Sequence, residues 1–235
     1  MCKNYAKINF IQKKGESGML GADVKLIDYS RKVDVANCVT HAVGAVAAAI
    51  GFIFMLAKAN GARSFLSAII YCVALTAVYT VSAVYHGLPA GESKRIARLA
   101  DHSTVPVLIA GTATPCALMT LWNISPSHCV FVMVAGWGCT FFGIFSKLFF
   151  FEKLKKVTVT VYIVSSLAML VSVVPLLDKI NGEAFGGLLL GNAFYLTGAV
   201  FCAIGRKREA MHVVFHVFTL AASAVHWFVL YSYVI

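Results

Sequence analysis

The chain has 235 residues, 60% of them hydrophobic and only 13% charged, with a mean hydropathy of +0.81. That mix excludes an ordinary soluble domain and points to an integral membrane protein. The formal net charge of +10 invites a nucleic-acid partner, a reading that the placement of the basic residues removes.

Residues 1–36 are polar and carry charges throughout. They contain no short apolar core followed by a small-residue cleavage site, so no removable signal peptide is expected. This basic tail either lies on an anionic inner leaflet or is simply solvated. Crossing a bilayer takes about 20 mostly apolar residues per helix. Such runs lie at Cys38 to Lys58, Ser64 to His86, Asp101 to Leu121, Cys129 to Lys147, Val157 to Leu177, Phe185 to Ile204 and His212 to Tyr233. Small residues crowd them, as in "HAVGAVAAAIG" (41–51) and Gly187-x-x-x-Gly191, where close helix packing is expected. Pro106 and Pro115 predict kinks in the third run. Trp122, Tyr231 and Tyr233 fall where an outer aromatic belt belongs. The cysteines show no Cys-x-x-Cys pair and read as free, buried thiols.

Seven spans put alternate loops on opposite sides. The start of the chain (Lys3, Lys7, Lys13, Lys14, Lys25, Arg31, Lys32) and the loops after the second (Lys94, Arg95, Arg98), fourth (Lys147, Lys153, Lys155, Lys156) and sixth runs (Arg206, Lys207, Arg208) then share one face. Only Lys58, Arg63 and Lys179 lie opposite. The positive-inside rule makes that rich face cytoplasmic. The fold expected is an all-α, seven-transmembrane-helix bundle in the plasma membrane, N-terminus cytoplasmic and C-terminus outside. Residues 1–36 form its tail and 37–235 its membrane domain, with lipid rather than nucleic acid as the partner.

Ionisable groups inside lipid are costly, so each one needs a reason. On this topology His86 ends the second helix at the cytoplasmic face, with Ser82 one turn deeper. Asp101 and His102 begin the third helix there. His212 begins the seventh, and His216 lies roughly 6 Å deeper. Histidines at i and i+4 share a helical face and can hold one metal. With His86 they make a three-histidine set, which in zinc chemistry leaves a fourth position open for water. A metal there activates that water. Asp101 suits orienting the water or taking its proton, and Ser82 can hydrogen-bond the water or a developing oxyanion. Each residue alone has a plainer reading. An isolated His-x-x-x-His at a helix start is usually an interfacial pair, His86 a snorkelling side chain and Ser82 a packing residue bonded to its own helix. Convergence of a carboxylate and three histidines from three helices favours the metal. His41 reads as a packing residue or a support behind the site, and His102 as a weaker candidate turned about 100° from Asp101. His128 and His226 read as structural, and Asp178 and Glu183 as loop residues.

The stretches "SAVYH", "DHSTVPVLIAGTATP", "HVVFHVFTLAASAVHW" and "DVANCVTHAVG" together resemble the bacterial haemolysin III family over about residues 34 to 234. That family is related to the progestin and adipoQ receptors and more distantly to alkaline ceramidases. The resemblance implies zinc on His86, His212 and His216, with Asp101 beside the bound water and Ser82 nearby. It departs at Ala113, where an aromatic is expected, and at Pro106, where a bulky side chain is more usual. Three functions follow: a zinc-dependent hydrolase of a lipid amide or ester, a pore-forming cytolysin, or a receptor or membrane-stress sensor with a structural zinc. No long polar stripe lines any helix, which speaks against the pore, and the loops are too short for a large ligand domain.

Overall fold

The computed structural model describes residues 23–235, so the tail lysines Lys3, Lys7, Lys13 and Lys14, and Cys2, lie outside the described residues. Seven helices are long and apolar enough to cross a membrane. They are α1 (Arg31–Lys58), α2 (Ala62–Gly87), α3 (Glu92–Ile124), α4 (Pro126–Phe150), α5 (Lys155–Leu176), α6 (Gly182–Gly205) and α7 (Ala210–Val234). No strand occurs among the described residues. The outer faces carry Val43, Ile53, Val134, Phe141, Val171 and Val200, each well over half exposed. So much bare hydrocarbon around every helix is compatible with lipid and not with water. The six described cysteines are free.

Each helix extends beyond the apolar run that marks it. The largest change is in α3, which begins at Glu92 rather than Asp101. Its first two turns are amphipathic, and their charges hide a buried face made by Lys94, Ala97, Arg98 and Leu99. Arg98 and Lys147, expected in loops, therefore belong to α3 and α4 and are buried. Glu183, also expected in a loop, sits in the first turn of α6, and His128 in the first turn of α4.

Packing follows chain order from α1 to α5, continues from α6 to α7 and returns from α7 to α1. The exception is between α5 and α6, which make at most isolated contacts. Ser223 on α7 ties three helices together: Tyr79 of α2 donates to its hydroxyl at 2.6 Å, and the Tyr195 hydroxyl of α6 lies 2.6 Å away. In α3 the helix passes through both prolines and widens after Pro115 into a π-helical stretch, Cys116–Leu121. Proline cannot donate the i→i−4 bond, and a wider turn re-spaces the carbonyls left without one.

Candidate metal centre

Three short polar patterns in otherwise apolar helices build this site. The end of α2 supplies His86, and the first two turns of α7 supply His212 and His216 on one face. One ring nitrogen from each lies within 4.8 Å of those of the other two. Ring centroids are 5.4 Å apart for His86–His212, 5.0 Å for His86–His216 and 4.8 Å for His212–His216. No other such group of histidine, cysteine or acidic side chains occurs among the described residues.

The rings are held from behind by α1. Asp34 Oδ1 accepts a hydrogen bond from His86 Nδ1 at 2.9 Å, and Asp34 Oδ2 accepts one from Lys94 Nζ at 2.5 Å. With Nδ1 used in this way, His86 Nε2 is buried with no hydrogen-bond partner among the described residues. A buried imidazole nitrogen is rarely left so, because the desolvated lone pair is costly. The pattern is that of a ligating histidine whose far nitrogen is fixed by a carboxylate. Thr40 Oγ1 stands 3.5 Å from His216 Nδ1, and His41 stacks on His216 with centroids 3.7 Å apart. On the remaining side Tyr29 stacks on His212 at 5.1 Å. Burial pushes the Tyr29 phenol well above its ordinary range, so it remains an O–H group. Three imidazoles with carboxylate, hydroxyl and aromatic support suit a borderline cation such as zinc.

Asp101 and Ser82 stand apart from this ligand group. They line the same cavity as His212 and His216. His102 also lines this cavity and meets the Phe151 ring edge-on at 5.0 Å. His226 is remote, donating from Nε2 to Leu188 O at 3.1 Å, and His128 pairs with Ser125 Oγ at 2.7 Å. Thus His86, His212 and His216 meet, Asp101 and Ser82 line the cavity that His212 and His216 also line, and His41 backs the cluster.

Sequence reading missed Asp34, Asn37 and Thr40. The signal was present, since Asp34, Asn37 and His41 follow helical spacing along one face of α1, where Asn37 and His41 are buried and Asp34 half-buried. The stripe was obscured because Asp34 lies in the segment read as tail.

The cavity has a volume of about 850 Å³ and runs from the histidines towards Lys179 and Tyr233 at the opposite end of the bundle. Its walls are largely apolar, including Val78, Leu108, Ile163 and Leu188. Val159 of α5 and Leu196 of α6 both line it and are 43% and 39% exposed. It therefore opens sideways between the two neighbouring helices that barely touch.

A family described as Haemolysin-III related matches residues 29–227. The chain belongs to this family. It is 29% identical to Hemolysin-3 of Bacillus cereus over 212 residues, 87% of this chain and 93% of that protein. With the Hemolysin-3 homolog of Bacillus subtilis (strain 168) the identity is 30% over 208 residues, 87% of this chain and 96% of the relative. The Monocyte to macrophage differentiation factor of Homo sapiens is 27% identical over 210 residues, 84% of this chain and 83% of its own length. This haemolysin III family member is accordingly a multi-pass protein of the bacterial cell membrane.

Proposed function

We propose that this haemolysin III family protein is a zinc-dependent hydrolase that cleaves an amide or ester bond in a membrane lipid. The observation that carries the reading is one arrangement: three histidines gathered within ligand reach of one another, with Asp101 and Ser82 lining the same lipid-sized cavity. His86, His212 and His216 hold the ion. Bound there, zinc supplies a Lewis acid that makes water a nucleophile near neutral pH.

The chain's own residues do the rest. Asp101 takes the proton of the attacking water and returns it to the leaving amine or alcohol, so that one group serves both halves of the reaction. Ser82, which lines the cavity with it, is the hydroxyl available to orient that carboxyl or the developing oxyanion. The apolar walls hold the acyl chain and keep bulk water away from the carbonyl, where a low dielectric strengthens each charge interaction. The gap between α5 and α6 admits a lipid from the bilayer without passage through water. The same apolar lining gives no support to a water-filled pore.

The test uses purified protein and synthetic lipid amides and esters. His212→Ala loses turnover and zinc together, whereas Asp101→Asn loses turnover with its zinc largely kept. Full turnover in either variant overturns the mechanism. Liposome leakage that survives zinc removal would favour the cytolysin instead.

A further inference from the structure

Next to Asp101 the cavity wall turns basic in a way that the proposed hydrolysis does not use. Arg98 is 7% exposed and Lys147 3% exposed, and both line the cavity. Their stems converge on Phe151, with the guanidinium 5.2 Å and the ammonium 4.8 Å from its ring centroid. Arg206 joins them from the end of α6 as an exposed residue on the rim.

Three other cations of this face have partners at hydrogen-bond distance. Lys94 Nζ is 2.5 Å from Asp34, Lys155 Nζ is 2.6 Å from Glu152, and Arg95 reaches Glu92 at 2.5 Å. Arg98 has Nε buried without a hydrogen bond, and its nearest carboxylate is Glu152 at 3.9 Å. That carboxylate is already committed to Lys155: although burial works to raise it, the Lys155 hydrogen bond holds Glu152 below its ordinary range. Lys147 makes no hydrogen bond or contact ion pair among the described residues, the carboxylates of Glu152 and Asp23 acting on it only from beyond ion-pair distance. Lysine and arginine are almost never buried without a partner, and an uncompensated buried charge costs several kcal/mol. The positive-inside rule explains basic residues at this face, but it accounts for solvated ones and not for two at the wall of a cavity.

We propose that Arg98 and Lys147, with Arg206 at the rim, form the headgroup site for the phosphate of an anionic lipid whose acyl chains occupy the apolar cavity. A guanidinium fork and an ammonium together match the oxygens of a phosphate. The continuous apolar cavity selects a lipid over a free anion. The site lies one helical turn from Asp101 along α3, which puts the bonds nearest the headgroup beside the metal centre. This names the substrate class of the proposed hydrolase and rests on that reading of the cavity.

The test measures binding rather than turnover. Purified protein in an uncharged detergent is titrated with phosphatidylglycerol, with diacylglycerol of the same chains, and with inorganic phosphate, and the thermal midpoint is followed. Phosphatidylglycerol raises the midpoint at far lower concentration than either of the others. Lys147→Met, which replaces an unpaired ammonium by hydrocarbon of similar volume, keeps or gains stability without ligand but weakens phosphatidylglycerol about tenfold or more, the worth of one charge-assisted hydrogen bond. Arg98→Gln does the same, and zinc content is unchanged in both. Equal binding of phosphatidylglycerol and diacylglycerol, or undiminished binding in both variants, overturns the headgroup site. Inorganic phosphate matching the lipid overturns the lipid source. Charge-dependent lipid binding in a protein that lacks zinc or turnover would leave this site standing and remove the hydrolase, while turnover indifferent to headgroup charge would do the reverse.

Discussion

Asp34 is the residue on which the histidine cluster leans most. It stands one hydrogen bond behind His86, accepting from Nδ1 and so leaving Nε2 as the nitrogen free to ligate. Outer partners of this kind typically contribute 10–100-fold to metal affinity. Asp34→Asn is therefore expected to weaken zinc by about 10–100-fold in competition with a chelator, and also to lower the thermal midpoint of the metal-free protein, because it leaves the buried Lys94 ammonium without its carboxylate. Lys94→Met, which leaves Asp34 in place, separates this effect from loss of the Lys94 pair. Unchanged zinc affinity in Asp34→Asn would reduce the carboxylate to a partner of Lys94. The contrast with the ligands is instructive. His212 and His216 stand out in the sequence because i, i+4 imidazoles are rare in an apolar run. Asp34 is one acid in a charged segment, and only the fold shows which ring it reaches.

At the scale of the elements, α6 and α7 cross closely at their glycines. A Cβ on Gly191 would run into the His226 imidazole, and one on Gly187 into Val229. Gly191→Val overpacks this crossing and is expected to cost about 1–3 kcal/mol, read as a lowered midpoint in detergent, with zinc stoichiometry at the far end of α7 preserved. No loss of stability would mean that the two helices can part at little cost. The spacing Gly187-x-x-x-Gly191 made this contact legible beforehand, because small residues four apart have one main use between membrane helices. The early start of α3 was not legible, since the charges of Glu92, Lys94, Arg95 and Arg98 mask its buried face. Nor was the gap between α5 and α6. Leucine, valine and phenylalanine are equally at home against lipid or another helix, so composition says that a face is apolar without saying what covers it.

Over the whole molecule, seven helices close a ring everywhere except between α5 and α6, around a cavity with the histidine cluster at one end. The number of spans and the convergence of His86, His212 and His216 at one end of the bundle follow from hydropathy and spacing. Orientation rests on the asymmetry of lysine and arginine. A reporter that is active only outside the cytoplasm is expected to work when fused after Ile235, and a dark fusion would invert the bundle and place the metal centre outside. The central claim is that three histidines from α2 and α7 share one ion, and the most direct measurement is metal analysis of the purified protein beside His86→Ala, His212→Ala and His216→Ala. We expect about one zinc per wild-type chain, and its loss or sharp decline in each variant. A wild-type protein prepared without chelator that holds no metal, or metal undiminished in all three variants, would contradict the account.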